Sequence, residues 1–185
     1  MIGIDEVGRG CIAGPLLVAA VRQNGSLPKN VKDSKLLTRA QRESLFKLLV
    51  RQCKFGEGWV LAAEIDQQGL TGAMQLGVAR ALRNLGVKRH EKIIIDGPVN
   101  YLSKIYKNFE CLIDADALLP LVSAASIYAK VRRDHFMTEL AKKYANYGFE
   151  NHAGYCTPQH KLALQHFGPL AAIHRLSFKP LRTTA

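Results

Sequence analysis

The chain has 185 residues, of which 48% are hydrophobic and 22% charged, the makeup of a folded soluble protein and not of a disordered or membrane-embedded one. Its 26 lysines and arginines outnumber 15 aspartates and glutamates, and the net charge of +11 points to a polyanionic partner, nucleic acid first. One domain suffices at this length. The apolar run over residues 11–21 is too short to cross a bilayer, and the acids Asp5 and Glu6 stand where a signal peptide would be basic, so no membrane association is expected. Cys11, Cys53, Cys111 and Cys156 contain no CxxC pair, which argues against a disulfide scaffold and for a reducing, cytoplasmic setting.

In chain order, Gly3-Ile4-Asp5 reads as a short buried strand, followed by a glycine-rich bend and an apolar stretch over 16–21. Thr38 with Gln41 forms a capping box that opens a helix with Leu45, Leu48, Leu49 and Cys53 on its apolar face. A strand-like segment over 58–62 precedes a second helix carrying Met74, Val78, Ala81 and Leu82, which Gly86 stops. Residues 92–96 form a strand whose Ile93-Ile94-Ile95 run lacks alternation, as a central strand covered on both faces does. A long helix is expected from near Pro120 to about Tyr144, with Val122, Ala125, Ala129, Phe136 and Leu140 at helical spacing. The small residues Ser123, Ala124, Ala125 and Ser126 at its start would let it approach the sheet closely. Thr157 and Pro158 then open a last helix that ends before Gly168. This alternation implies an α/β protein, a mixed sheet flanked by helices.

Four acids carry the chemistry. Asp5 and Glu6 follow the first strand, Asp96 ends the strongest one, and Asp116 lies in a loop before the long helix. Neighbouring strands deliver their end residues to one edge of a sheet, where ligands sit. Carboxylates gathered there repel one another unless a cation neutralises them, and all-oxygen ligation suits Mg²⁺ or Mn²⁺. Acids that hold metal within a chain whose cations hold phosphates are the makeup of a nuclease. A noncatalytic nucleic-acid-binding module would explain the charge but not the acids. His152, Cys156 and His160 recur at helical spacing and suggest zinc, but Thr157-Pro158 breaks the helix such a site needs.

The motifs Asp5-Glu6-Val7-Gly8-Arg9-Gly10 with Ala13-Gly14-Pro15, Asp33-Ser34-Lys35, Ile95-Asp96-Gly97, Ala115-Asp116 leading to Val122-Ser123-Ala124-Ala125-Ser126-Ile127 and Ala129-Lys130-Val131, Tyr147-Gly148-Phe149, Gly154-Tyr155 with Thr157 and His160, and His174-Arg175 with Ser177-Phe178 occur in order. Together they resemble the type 2 ribonucleases H, ribonuclease HII. Departures are Cys11 and Cys156 where proline is common, Ala153 where lysine is common, and Arg132 where threonine is common.

The resemblance implies a ribonuclease H-like sheet with a helical C-terminal portion, a single domain over 1–185 in which residues 145–185 contact substrate. It implies that Asp5, Glu6, Asp96 and Asp116 bind metal and catalyse. Asp116 is chosen over Asp114 and Asp134 because the family's fourth acid stands just before the serine- and alanine-rich helix start, leaving Asp134 to pair with an adjacent arginine or help position the site. The reaction implied is two-metal hydrolysis of RNA in RNA/DNA hybrids, and at ribonucleotides embedded in duplex DNA, giving 5′-phosphate and 3′-hydroxyl ends, work that belongs to ribonucleotide excision repair and DNA replication. Gly8, Arg9 and Gly10 would meet the ribose 2′-hydroxyl, with Tyr155 stacking near the following deoxynucleotide sugar. Lys35, Lys130, Arg132, Arg133, Lys161, Arg175 and Lys179 are candidate phosphate contacts. A monomer is expected. The Gly8-Arg9-Gly10 turn and Tyr155 argue against a resolvase or ribonuclease HI.

Overall fold

The computed structural model describes residues 1–28, 31 and 37–182. Among these, five strands form one mixed sheet: β1 (Ile2–Val7), β2 (Leu16–Gln23), β3 (Cys53–Val60), β4 (Ile93–Asp96) and β5 (Phe109–Leu112), in the order β3-β2-β1-β4-β5. β1, β2 and β3 pair antiparallel, whereas β4 runs parallel to β1 and β5 parallel to β4. The helices are α1 (Arg39–Gln52), α2 (Ala62–Leu85), α3 (Ala115–Leu118), α4 (Pro120–Lys143), α5 (Phe149–His152), α6 (Pro158–Phe167) and α7 (Lys179–Arg182), with a 3-10 turn at Ala145–Tyr147.

Successive strand residues face opposite sides, and both sides are covered. Ile2, Ile4, Val18, Ala20, Ile93 and Ile95 pack against Ile65, Met74, Val78 and Leu82 of α2. Leu17, Ala19 and Val21 pack against Leu121, Ala124, Ala125 and Ala129 of α4 on the other side. Each such aliphatic side chain contributes roughly 1.5–3 kcal/mol on full burial, so the unalternating Ile93-Ile94-Ile95 run is the strand that a doubly covered sheet centre rewards. The small residues at the start of α4 do bring it close. A Cβ added at Gly3 would lie 2.9 Å from the Leu121 carbonyl oxygen.

Thr38 and Gln41 make the expected reciprocal capping box. Gly86, left-handed at φ 67°, caps α2, which kinks at Gly69. Thr157 accepts from the His160 amide at the start of α6. Other boundaries differ from the sequence reading. Cys53 is extended and opens β3, although its amide still donates to Leu49, and Ala62 begins α2, so the strand expected over 58–62 runs instead from Cys53 to Val60. Two inward positions of that strand are Gly56 and Gly58, which leave no apolar side chain to mark the period. Leu48 and Phe136 are exposed, so each helix turns a narrower stripe inward than its apolar residues suggest. β5 and α7 were not expected; β5 is an edge strand with exposed Phe109 and Glu110, and α6 is therefore not the last helix. Asp116 lies not in a loop but in the first turn of α3.

Candidate active site

β1 and β4 run parallel with Ile4 opposite Ile95, so their next residues, Asp5 and Asp96, reach the same edge of the sheet. Both share the α4 side, because Gly3 and Ile94, two positions earlier, face that way. The Asp96 carboxylate accepts the Ala115 amide at 2.7 Å, which sets the turn that carries Asp116 into the same space. Asp5, Glu6, Asp96, Asp116, Arg42, Ser126, Lys130 and Tyr155 thus line one cleft of about 330 Å³.

The cleft is electrostatically tense. Asp5 is 7% exposed and Asp116 2%. Burial, then the Glu6 charge and, more weakly, Asp96 push the Asp5 carboxyl up to about 8, against the opposing pull of Ser126 and the Glu6 amide. Burial also raises Glu6, with Asp96 adding to it and Arg9, 3.6 Å away, working against it. Among the described residues no three Asp, Glu, His or Cys side chains close on one point as a finished cage. Burial first, and neighbouring carboxylates second, make ionising Asp5 and Glu6 costly, a cost that a bound cation would relieve. An all-oxygen, partly buried set at a common edge fits a hard divalent cation that keeps several waters and takes further ligands from phosphates.

Beside the acids lies the Gly8-Arg9-Gly10 turn. Gly8 has φ 86°, and a Cβ there would meet the Arg133 guanidinium at 2.3 Å, so only glycine fits. Arg9 keeps its side chain half exposed, and Gly10 is exposed. Tyr155, 43% exposed, lines the same cleft, and burial followed by Cys11, which adjoins Gly10, raises its phenol pKa. Lys35 lies outside the described residues.

The family model described as Ribonuclease HII matches residues 2–181. The chain belongs to the ribonuclease HII family. Ribonuclease HII of Pelagibacter ubique (strain HTCC1062) is 40% identical over 182 residues, which cover 98% of this chain and 96% of that protein. The ribonuclease HII in the PCNA:RNase HII complex from Archaeoglobus fulgidus superposes with a TM-score of 0.82 at 28% identity, over 96% of this chain and 94% of that one. A Bst-RNase HIII solved in complex with Mn²⁺ shares the fold, with a TM-score of 0.73 at 20% identity over 98% of this chain and 67% of its own. As a ribonuclease HII, the chain is a ribonuclease H, a metal-dependent endonuclease.

Within this ribonuclease HII, several expected phosphate contacts have other work. Arg133 and Arg175 are fully buried. Arg133 donates to the carbonyls of Pro15, Ala13 and Ala153, and Arg175 to those of Gly14 and Arg9. They brace the loop from Gly8 to Pro15 from within, because a guanidinium can satisfy several converging carbonyls at once. Burial lowers the Arg175 pKa to about 10, the electrostatic cost of that arrangement. Arg132 pairs with Glu57 at 2.6 Å, and Asp134 pairs with Lys130 at 2.8 Å, not with an arginine. Lys130, Lys161 and Lys179 remain at least partly exposed.

His152, Cys156 and His160 do not form a zinc site. His152 uses both ring nitrogens, on the Tyr147 carbonyl and the Gly154 amide. The sequence reading missed Arg42, whose only signal was its position at the start of the helix after Asp33-Ser34-Lys35. It also missed the burial of His160 and His174, for which the motif positions offered no sign.

Proposed function

We propose that this ribonuclease H cuts the RNA strand of RNA/DNA hybrids and cleaves at ribonucleotides embedded in duplex DNA, leaving 5′-phosphate and 3′-hydroxyl ends. One observation carries the reading: Asp5, Glu6, Asp96 and Asp116 share a cleft with the cations Arg42 and Lys130 and the exposed ring of Tyr155. The acids are the metal-binding and catalytic set, and Mg²⁺ or Mn²⁺ is the cofactor. These four acids would hold a pair of such ions, whose chemistry would be to lower the pKa of an attacking water and to stabilise charge on the leaving 3′ oxygen.

The chain's own residues do the rest. Asp5 and Asp96 are fixed by the sheet edge, and Glu6 is steadied by Arg9. Lys130 and Arg42 offer positive charge to the phosphates flanking the cut, with Lys35 a further candidate. The backbone at Gly8, Arg9 and Gly10 approaches the ribose, and Tyr155 supplies a flat face for the next sugar, so a junction is sensed from both sides. Residues 1–185 act as one domain, with residues 145–185 as its substrate-contacting portion. The enzyme works as a monomer in the cytoplasm, in ribonucleotide excision repair and DNA replication. No helix among the described residues is long and apolar enough to cross a membrane.

The test is incubation with duplex DNA carrying one ribonucleotide and with a long RNA/DNA hybrid, each with and without Mg²⁺ or Mn²⁺. Cleavage is expected at the ribonucleotide only with metal, and Asp96→Asn should abolish it while hybrid binding persists. Binding without cleavage under all conditions would favour a noncatalytic module and sink the reading.

A further inference from the structure

Against the backbone of Tyr155 lies a packed group of three imidazoles. His160 and His174 are fully buried, and their Nε2 atoms lie 3.1 Å apart. His152 stacks on His160 with ring centroids 4.3 Å apart, and Phe149 stands edge-on to both rings.

Their hydrogen bonds leave one consistent assignment of protons. The Nδ1 of His160 lies 2.9 Å from the Tyr155 carbonyl oxygen, so it carries a hydrogen and donates. In an uncharged ring its Nε2 then accepts, and the facing Nε2–H of His174 must be the donor. That requires the Nδ1 of His174 to accept, and the Leu170 amide donates to it at 2.9 Å. The alternative, Nδ1–H to the Leu170 carbonyl, is longer at 3.3 Å and would leave two lone pairs opposed across the pair unless one ring were charged. The titratable groups acting on the pair are imidazoles: His152 and His174 on His160, and His152 on His174. Burial favours the neutral forms and takes both pKa values down to about 4.

The chain of bonds ends on the carbonyl of Tyr155, which also accepts the Thr157 amide at 2.9 Å, so that His160 supplies the side-chain half of its hydrogen bonding. The opposite side of the same segment is held by the Gly154 carbonyl, which accepts the amides of Ile12 and Ala13. Tyr155 therefore stands between the loop that carries Gly8-Arg9-Gly10 and the imidazole pair. We propose that His160 and His174 are positioning residues for substrate recognition: the uncharged pair fixes the Tyr155 carbonyl and hence the direction in which its exposed ring meets the sugar, an inference that rests on reading Tyr155 as a substrate contact.

Two substitutions at one position separate positioning from packing. In His160→Asn the amide nitrogen takes the place of Nδ1 and keeps the bond to Tyr155 while giving up His174. In His160→Gln the amide reaches the Nε2 position, keeps His174 and gives up Tyr155. Each is measured in the full chain with Mn²⁺ on duplex DNA carrying one ribonucleotide, for kcat, KM and melting temperature, alone and combined with Tyr155→Ala.

His160→Gln should raise KM by about tenfold, the scale of one lost hydrogen bond, and add nothing once Tyr155 is alanine. His160→Asn should stay within about twofold of the parent, although both variants melt lower. Equal losses in both variants, tracking melting temperature, would overturn the proposal, as would an unchanged KM in His160→Gln beside an impaired Tyr155→Ala. A parent-like Tyr155→Ala would instead remove Tyr155 from the site and the inference with it. Nitrogen-15 spectra of the unaltered protein give an independent check that does not depend on the variants folding. They should report Nδ1–H for His160 and Nε2–H for His174, and the reverse tautomers or a charged ring at neutral pH would also overturn it.

Discussion

Asp5→Asn should make the metal-free protein more stable while it abolishes cleavage. The carboxyl has an ordinary value of 3.8 and is pushed up to about 8 by burial and by Glu6 and Asp96. A raised acid pKa means that the unfolded chain releases the proton more readily than the folded one, so Asp5 opposes folding increasingly as pH rises from about 4 to about 8. At pH 7 that is about three units at about 1.4 kcal/mol each, a ceiling of about 4 kcal/mol. Asparagine has nearly the same shape, can still accept the Glu6 amide, which Asp5 now accepts at 2.7 Å, and carries no charge. With water entering the cleft, a gain of about 1–4 kcal/mol is expected, or roughly 2–15 °C in melting temperature for a chain of this size. The assay is thermal or urea unfolding of both proteins in EDTA across pH 4–8, repeated with Mg²⁺ or Mn²⁺. The advantage should vanish near pH 4 and grow toward pH 8, and added metal should stabilise the parent more than the variant. A variant less stable than the parent in EDTA at pH 8, or an equal response of both to metal, would refute the electrostatic reasoning.

Arg175→Met should lower stability by about 2–4 kcal/mol, since the buried carbonyls of Gly14 and Arg9 lose their donors. The salt dependence of hybrid binding should keep its slope in that variant, whereas Lys130→Ala should reduce the slope by about one, as loss of a phosphate contact does; a shallower slope in Arg175→Met would restore it as a phosphate contact. Tyr155→Ala should slow cleavage at a single embedded ribonucleotide by about 5- to 150-fold, the range of one lost stacking contact, and an unchanged rate would exclude the ring from recognition. In an Asp5→Asn background, stability should fall as pH drops from 6.5 toward 4, because unfolded histidines then bind protons that buried His160 and His174, with pKa values near 4, refuse. The slope should approach about 1.4 kcal/mol per pH unit for each histidine, and a flat profile would mean that the rings are hydrated.

How much could be read from the chain depended on whether a residue's role is local. The Thr38–Gln41 box and the Ile93-Ile94-Ile95 strand are decided by neighbours within a few residues, and both stand where the sequence implied. The gathering of Asp5, Glu6, Asp96 and Asp116 at one edge follows from strand order, which alternation with helices already constrained. β3 was blurred because two of its inward positions, Gly56 and Gly58, are glycines facing a helix that lies almost on the backbone: a Cβ on Gly58 would fall 1.9 Å from the Gly77 carbonyl oxygen. The two buried arginines were read as cations for phosphate because charge is visible in a sequence, while the carbonyls that consume it lie 20 to 166 residues away. The imidazole pair was hidden for the same reason, since nothing local distinguishes a buried histidine from an exposed one.

The clasp formed by Arg175 on the Gly8–Pro15 loop also bears on how the enzyme comes into being. Asp66 completes it, accepting the amides of Leu176 and Ser177. The acids of the cleft lie at positions 5 to 116, so each is synthesised well before this last tie can form. Fragments ending short of His174 should therefore be inert on embedded ribonucleotides, because the Gly8–Pro15 loop lacks its buried donor.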